Sequence, residues 1–280
     1  SQYIAPGLRQ IITKFPTLHA SPLTPKQHYF VGALNGVCGD YLLKQQNPIS
    51  LPMVIYDHYG SVQKGELTGH VVLFIHGLCM NHLDWSNPQF GGIGEKLLAQ
   101  RDHNTMLYLN YNTGRRISAN GRSIANTLED LIQRNPLITS IDLIGHSMGC
   151  LVLRSSLFYG KQNMHQWMHL TENLVCLGSP HHGAALERLG FSLQRNLRHI
   201  PLGKIFGHIA NIRSNGILDL RYGSVRDDDW EHNNIRIGLI DDNRKPAPLP
   251  SHINTYLVAG TIEFQHRKNR TRQAIGDYLV

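Results

Sequence analysis

Leu143–Leu153 reads LIGHSMGCLVL, and the fold turns on how that stretch is interpreted. It holds one serine, Ser147, with Gly145 two residues before it and Gly149 two residues after. The pentapeptide alone is modest evidence; its flanks give it weight. The apolar run SIDLI (140–144) reads as a strand, and CLVLRSSLFY (150–159) reads as a helix. A serine on a sharp strand-to-helix turn is held in strain with its hydroxyl pushed up from the strand end, and the glycines let neighbouring backbones pass close. Ser147 is therefore the candidate nucleophile.

A serine that attacks an acyl carbon creates an oxyanion, which needs hydrogen-bond donors already in place. The residue after the nucleophile, Met148, supplies one backbone N–H. A second is expected at the end of an earlier strand. HVVLFIHGLCMNHLDW (70–85) fits, since its apolar run ends in His76-Gly77 and Leu78 then offers its N–H. His76 is expected to shape that turn and not to transfer protons. Farther on, NLVCLGSPHHGAALERLG (173–190) contains adjacent His181 and His182. Zinc takes ligands from several spaced positions, and the sequence shows no second cluster to join them. The pair is assigned to the pocket mouth with His146, and no metal or cofactor is expected.

Outward from these motifs, short apolar runs recur: LPMVIYD (51–57), HVVLFIH (70–76), TMLYLNY (105–111), SIDLIGH (140–146), NLVCLGS (173–179) and INTYLVAG (253–260). The stretches between the middle four carry helical periodicity, as with Ile124, Leu128 and Leu131. Near-continuous apolar strands alternating with helices predict an α/β fold with a mostly parallel sheet covered on both faces. An N-terminal helical extension (1–50) precedes it, with a helix from about Thr24 to Gln46. Thr24 caps that helix, Pro25 suits its first position, and Gln27 completes a capping box. Between two of the strands, residues 184–216 form an amphipathic basic insertion. It reads either as a cap over the carboxyl ends of the strands or as a surface helix pair. The 280 residues otherwise form one domain.

Composition narrows the function classes. The net charge is +7 and the pI about 9.3, yet the basic residues are scattered apart from HRKNRTR (266–272). That run lacks aromatic interleaving, which argues against nucleic acid as a partner and admits peripheral contact with anionic lipid. No apolar run is long enough to span a membrane, and SQYIAPGLRQII at the start has no signal pattern and no initiator Met, so a trimmed or processed start is expected. Cys38, Cys79, Cys150 and Cys176 are widely spaced and read as four buried free thiols, which favours a reducing, cytoplasmic setting. Oligomeric state is not legible.

FIHGL, YNTGR, GHSMG, LGSPHHGA, RSNGILDLRYG and VAGT occur in that order, and together they resemble the bacterial lipase/esterase branch of the α/β-hydrolase superfamily. Triacylglycerol lipases and GPI inositol-deacylase-like proteins are neighbours of that branch. The likeness runs from about Gly32 to the end. It implies a carboxylic-ester hydrolase acting on a small-molecule or lipid ester, with the triad in the order Ser, Asp, His. It also implies that the acid is Asp277, in GDYLV (276–280), where Tyr278 replaces the small residue of the family loop. The histidine and the last strand would then fall beyond residue 280, leaving the hydrolase fold incomplete at its carboxyl end. The alternative keeps the triad within the 280 residues, with His266 as base and Asp241 or Asp242 as acid. A non-catalytic homologue that keeps the elbow for structure, and an acyltransferase using the same serine, stand as further alternatives.

Overall fold

A computed structural model describes residues 23–87, 92, 96, 105–184, 214–231, 244–259, 261–262 and 275–276. The first described element is helix α1 (Pro25–Lys44). The Thr24 side chain accepts from Gln27 N, and Gln27 Oε1 accepts from Thr24 N at 2.7 Å, so the predicted capping box is present. The helix kinks at Cys38 and ends in the turn before Pro48. It is less an appendage than a wall of the core, because Val31, Leu34, Val37 and Leu42 are all buried in the main cluster.

The predicted strands all form: β1 (Val54–Tyr56), β2 (Thr68–Ile75), β3 (Thr105–Asn110), β4 (Leu137–His146), β5 (Thr171–Leu177) and β6 (Asn254–Val258). They make one sheet in the order β1-β3-β2-β4-β5-β6, parallel throughout except for β1, which runs antiparallel to β3. Helix α2 (Ile117–Arg134) joins β3 to β4, and α3 (Met148–Gln162) with the short α4 (Trp167–Leu170) joins β4 to β5. Alternate residues of the strands separate into two apolar clusters. Val71, Leu73, Ile75, Leu107, Leu109, Ile141 and Leu143 pack with the helix residues Ile124, Leu128, Leu151 and Val152. Val72, Phe74, Met106, Tyr108 and Ile144 pack with Trp85 on the other face. Two buried faces explain why the central strands β2, β3 and β4 read as largely apolar runs.

After β5 come α5 (Asn215–Tyr222) and α6 (Asp228–Glu231), and after β6 the antiparallel pair β7 (Thr261–Ile262) and β8 (Ile275–Gly276). Asp219 of α5 accepts from Ile117 N at 2.8 Å and pairs with Arg116. It thereby caps α2, whose own N-cap residue Arg116 makes no side-chain cap bond. Burial raises the Asp219 carboxyl to about 6 despite that partner. Residues 1–22 and 185–213 lie outside the described residues, so they carry most of the predicted cap and the start of the extension.

Candidate active site

Ser147 sits between the end of β4 and the start of α3 with φ 52° and ψ −121°. A positive φ is rare for a residue with a side chain and costs about 1–3 kcal/mol unless its surroundings impose it. They do so here. Its N–H donates to Leu177 O of β5 at 2.9 Å. A Cβ on Gly149 would lie 2.7 Å from His76 O and closer still to Ile75 O, so only glycine lets α3 abut the end of β2. A Cβ on Gly145 would lie 2.7 Å from Cys150 N, so the first turn of α3 rests on β4 itself. Although Ser147 occupies the N-cap position, its side chain makes no cap hydrogen bond, which leaves the hydroxyl to other uses. Met148 follows as the first helical residue, fully buried, and its N–H belongs to the unpaired set at a helix N-terminus.

The loop after β2 lies directly against this elbow. A Cβ on Gly77 would stand 3.2 Å from Ser147 Cβ, 3.2 Å from His146 O and 3.2 Å from His146 Nδ1. The structure thus brings Gly77, Leu78, His146, Ser147 and Met148 together. His76 is completely buried, its Nδ1 near Gly77 O (3.0 Å) and its Nε2 near Asn110 Oδ1 (3.2 Å). Burial pushes its pKa down to about 4, so the ring is neutral at pH 7.

What sequence reasoning missed is the brace on the far side of this loop. Tyr111 Oη donates to His76 O at 2.9 Å, and Thr113 Oγ1 accepts from Cys79 N at 3.2 Å. Asn112 Nδ2 donates to Gly39 O at 2.9 Å, while Asn112 Oδ1 accepts from Gly114 N at 3.0 Å. A polar NTG directly after an apolar strand was the available signal. On the opposite side α1 presents Gly32 and Gly36 to Met80 and Cys79.

A family profile described as a PGAP1-like alpha/beta domain matches residues 66–274. The chain belongs to that family. Its sheet order and helix placement are those of the α/β-hydrolase fold. Solved structures that resemble it include the mature lipase BlEst2 of Bacillus licheniformis, at 20% identity and TM-score 0.41, covering 61% of this chain and 61% of that one. They also include a lipase B of Aspergillus fumigatus, at 15% identity and TM-score 0.33, covering 42% and 26%. A hyperthermophilic esterase of the archaeon Pyrobaculum calidifontis resembles it at 14% identity and TM-score 0.37, covering 79% and 74%. The chain thus matches 61% of the length of the Bacillus lipase. No curated protein sequence matches it.

In this PGAP1-like domain the expectation of four free thiols is corrected. Cys150 and Cys176 are joined as a disulfide, with their Cα atoms 5.5 Å apart, while Cys38 and Cys79 are free and buried. The cause is topological: Cys176 pairs in register with Gly145, and Cys150 rests directly over that glycine. His181, after β5, points its Nε2 at Cys150 Sγ from 3.9 Å. Burial, then the charges of Arg154 and His182, push the His181 pKa down to about 4. His182 is exposed. Among the described residues no helix is long and apolar enough to cross a membrane.

The acid and base expected from sequence, Asp277, His266, Asp241 and Asp242, lie outside the described residues. The nearest described position is Gly276, which pairs with Thr261 three residues beyond the end of β6.

Proposed function

We propose that this PGAP1-like domain is a serine-dependent carboxylic-ester hydrolase acting through an acyl-enzyme on Ser147. The observation that carries the reading is the strained Ser147 backbone, set beside the Gly77–Leu78 loop and leaving the hydroxyl out of helix capping. In this reading Ser147 Oγ attacks the acyl carbon, and the N–H groups of Leu78 and Met148 receive the developing oxyanion. The alcohol leaves with a proton, and water then releases the acyl group by the same route in reverse order.

Asp277 is the proposed acid. The pairing of Gly276 with Thr261 supports it, because it returns the chain to the carboxyl end of β6, where this fold places an acid loop. A base is needed between Asp277 and Ser147, and without one the serine retains only about 10³–10⁴-fold over water from the oxyanion donors and binding. His146, His181 and His182 are proposed to border the pocket, and a lipid or small-molecule ester is the proposed substrate class.

A fluorophosphonate probe applied to the protein expressed from its complete coding sequence tests the assignment. It should label Ser147, and Ser147→Ala should abolish both labelling and p-nitrophenyl ester hydrolysis. Equal labelling of the two proteins refutes it, and a folded protein that neither labels nor hydrolyses any ester supports a non-catalytic homologue instead. Product analysis with an added alcohol separates hydrolysis from acyl transfer.

A further inference from the structure

We propose that Cys150, Cys176 and His181 form a binding site for one Zn²⁺ ion, filled when the Cys150–Cys176 disulfide is reduced. The three ligand atoms, Sγ, Sγ and Nε2, all lie within 4.8 Å of one another. They come from three separate elements: the first turn of α3, strand β5 and the segment after β5. Two thiolates and an imidazole form a donor set that selects zinc over magnesium or calcium.

The spacing suits the ion. A tetrahedral centre with usual Zn–S and Zn–N bond lengths sets sulfur and nitrogen about 3.6 Å apart and the two sulfurs about 3.8 Å apart. Cys150 Sγ and His181 Nε2 already stand 3.9 Å apart. The sulfurs must part, and Cα atoms 5.5 Å apart allow that through side-chain rotation. The cysteines are 0% and 2% exposed, whereas His181 is half-buried and opens the site towards solvent, leaving the fourth position to water. The charge of Arg154 reaches His181, but two thiolates cancel the charge of the ion, so that guanidinium faces a neutral centre.

Filling the site takes two balanced steps. Two molecules of a small thiol reduce the disulfide, giving two cysteine thiols and one external disulfide, with two electrons passing to the protein sulfurs. Zn²⁺ then displaces one proton from each thiol to water, forming two Zn–S bonds and accepting the Nε2 lone pair. Disulfide and metal are mutually exclusive, and both fasten the first turn of α3 to β5. Cys150 lies three residues beyond Ser147, and Cys176 pairs with Gly145, so either bond ties down the strained serine.

The test is metal binding, which is independent of any hydrolase activity. The Cys38→Ser/Cys79→Ser protein removes the other two thiols. It is reduced anaerobically, freed of reductant and titrated with Zn²⁺ against a chromogenic chelator. One ion per protein molecule should bind, the oxidised protein should bind none, and Co²⁺ should give a near-ultraviolet band of two thiolate ligands. His181→Ala should weaken binding about 100-fold or more. Should the double serine protein fail to fold, the same comparison of reduced and oxidised forms is made on the unaltered protein. Reduced protein that binds no more zinc than oxidised protein overturns the site, as does unchanged affinity in His181→Ala.

Discussion

Gly36→Ala should displace the proposed oxyanion loop without altering any side chain proposed to be catalytic. In an exposed helix the change would add about 1 kcal/mol of stability, because alanine has the higher propensity. Here the new Cβ would stand 2.9 Å from Cys79 N and 3.0 Å from Cys79 Cα, and closer still to Cys79 Sγ. Ordinary contact needs about 3.5 Å, so the backbone at Cys79 must retreat by about 0.5 Å. Cys79 already holds φ 61° and donates its N–H to Thr113 Oγ1, so it has little freedom to yield. Overpacking of this kind costs about 1–3 kcal/mol, leaving a net loss of roughly 0–2 kcal/mol after the propensity gain. The retreat moves Leu78, the adjacent residue, whose N–H is the proposed oxyanion donor. Losing such a donor costs about 10²–10³-fold in kcat, and half an ångström of misplacement should cost about 10–100-fold. The assay is kcat and KM on a p-nitrophenyl ester beside a thermal unfolding curve. We expect kcat to fall with KM nearly unchanged, and partial recovery in Gly36→Ala/Cys79→Ala, which removes the sulfur contact but not the backbone ones. A folded Gly36→Ala protein with unaltered kcat refutes the coupling of α1 to the oxyanion loop.

Three further outcomes are expected. Asp277→Asn should lower kcat by about 10⁴-fold while His266→Ala leaves it within a few fold, by steady-state kinetics; the reverse pattern moves the triad to His266 with Asp241 or Asp242. Asp219→Ala should destabilise the fold by about 3–5 kcal/mol in denaturant unfolding, because it strands the Ile117 N–H and the Arg116 charge, with Asp219→Asn milder. Burial lowers His76 to about 4 and His82 to about 3, so their stabilisation is complete above pH 6.5 and is lost as the unfolded protein takes up protons below it. Asp84 and Asp219, raised to about 6 by burial, act oppositely between about 3.8 and 6 because the folded state keeps their protons. Stability measured against pH should therefore fall most steeply just below pH 6.5, and His76→Gln should remove one histidine's share of that slope, at most about 1.4 kcal/mol per pH unit.

The central strands were legible because β2, β3 and β4 are largely buried on both faces, whereas β6, exposed along its length, was legible from its β-branched and aromatic residues. The elbow was legible because its glycines are required by approach distances: Gly145 under Cys150, and Gly149 against His76 O. The disulfide was not. Cys150 and Cys176 are 26 residues apart, and only the register of β4 with β5 brings them together. The same register makes His181 a neighbour of two sulfurs, which its pairing with His182 in sequence conceals. The Tyr111–Gly114 brace was hidden for a related reason, since hydrogen bonds to Cys79, His76 and Gly39 leave no periodicity to read.

These contacts point to a division of labour around Ser147. Strain of about 1–3 kcal/mol at one residue persists only if the surroundings over-determine it. The serine N–H is tied to β5, α3 is pressed on the end of β2 by Gly149, and Cys150 binds the helix back to β5. The facing loop is fixed independently, by α1 on one side and by the Tyr111–Gly114 segment on the other. Ser147 with the Met148 N–H, and the loop that carries the proposed Leu78 donor, therefore sit on two separately braced pieces that meet at Gly77, where a Cβ would come within 3.2 Å of Ser147 Cβ. A change at α1 should misplace the Leu78 N–H and spare the serine, whereas a change at Cys150 or Cys176 should act on the serine and the adjacent Met148 N–H and spare the loop. Fluorophosphonate labelling rate, which follows serine reactivity, and kcat on an ester then provide two readouts to distinguish the braces.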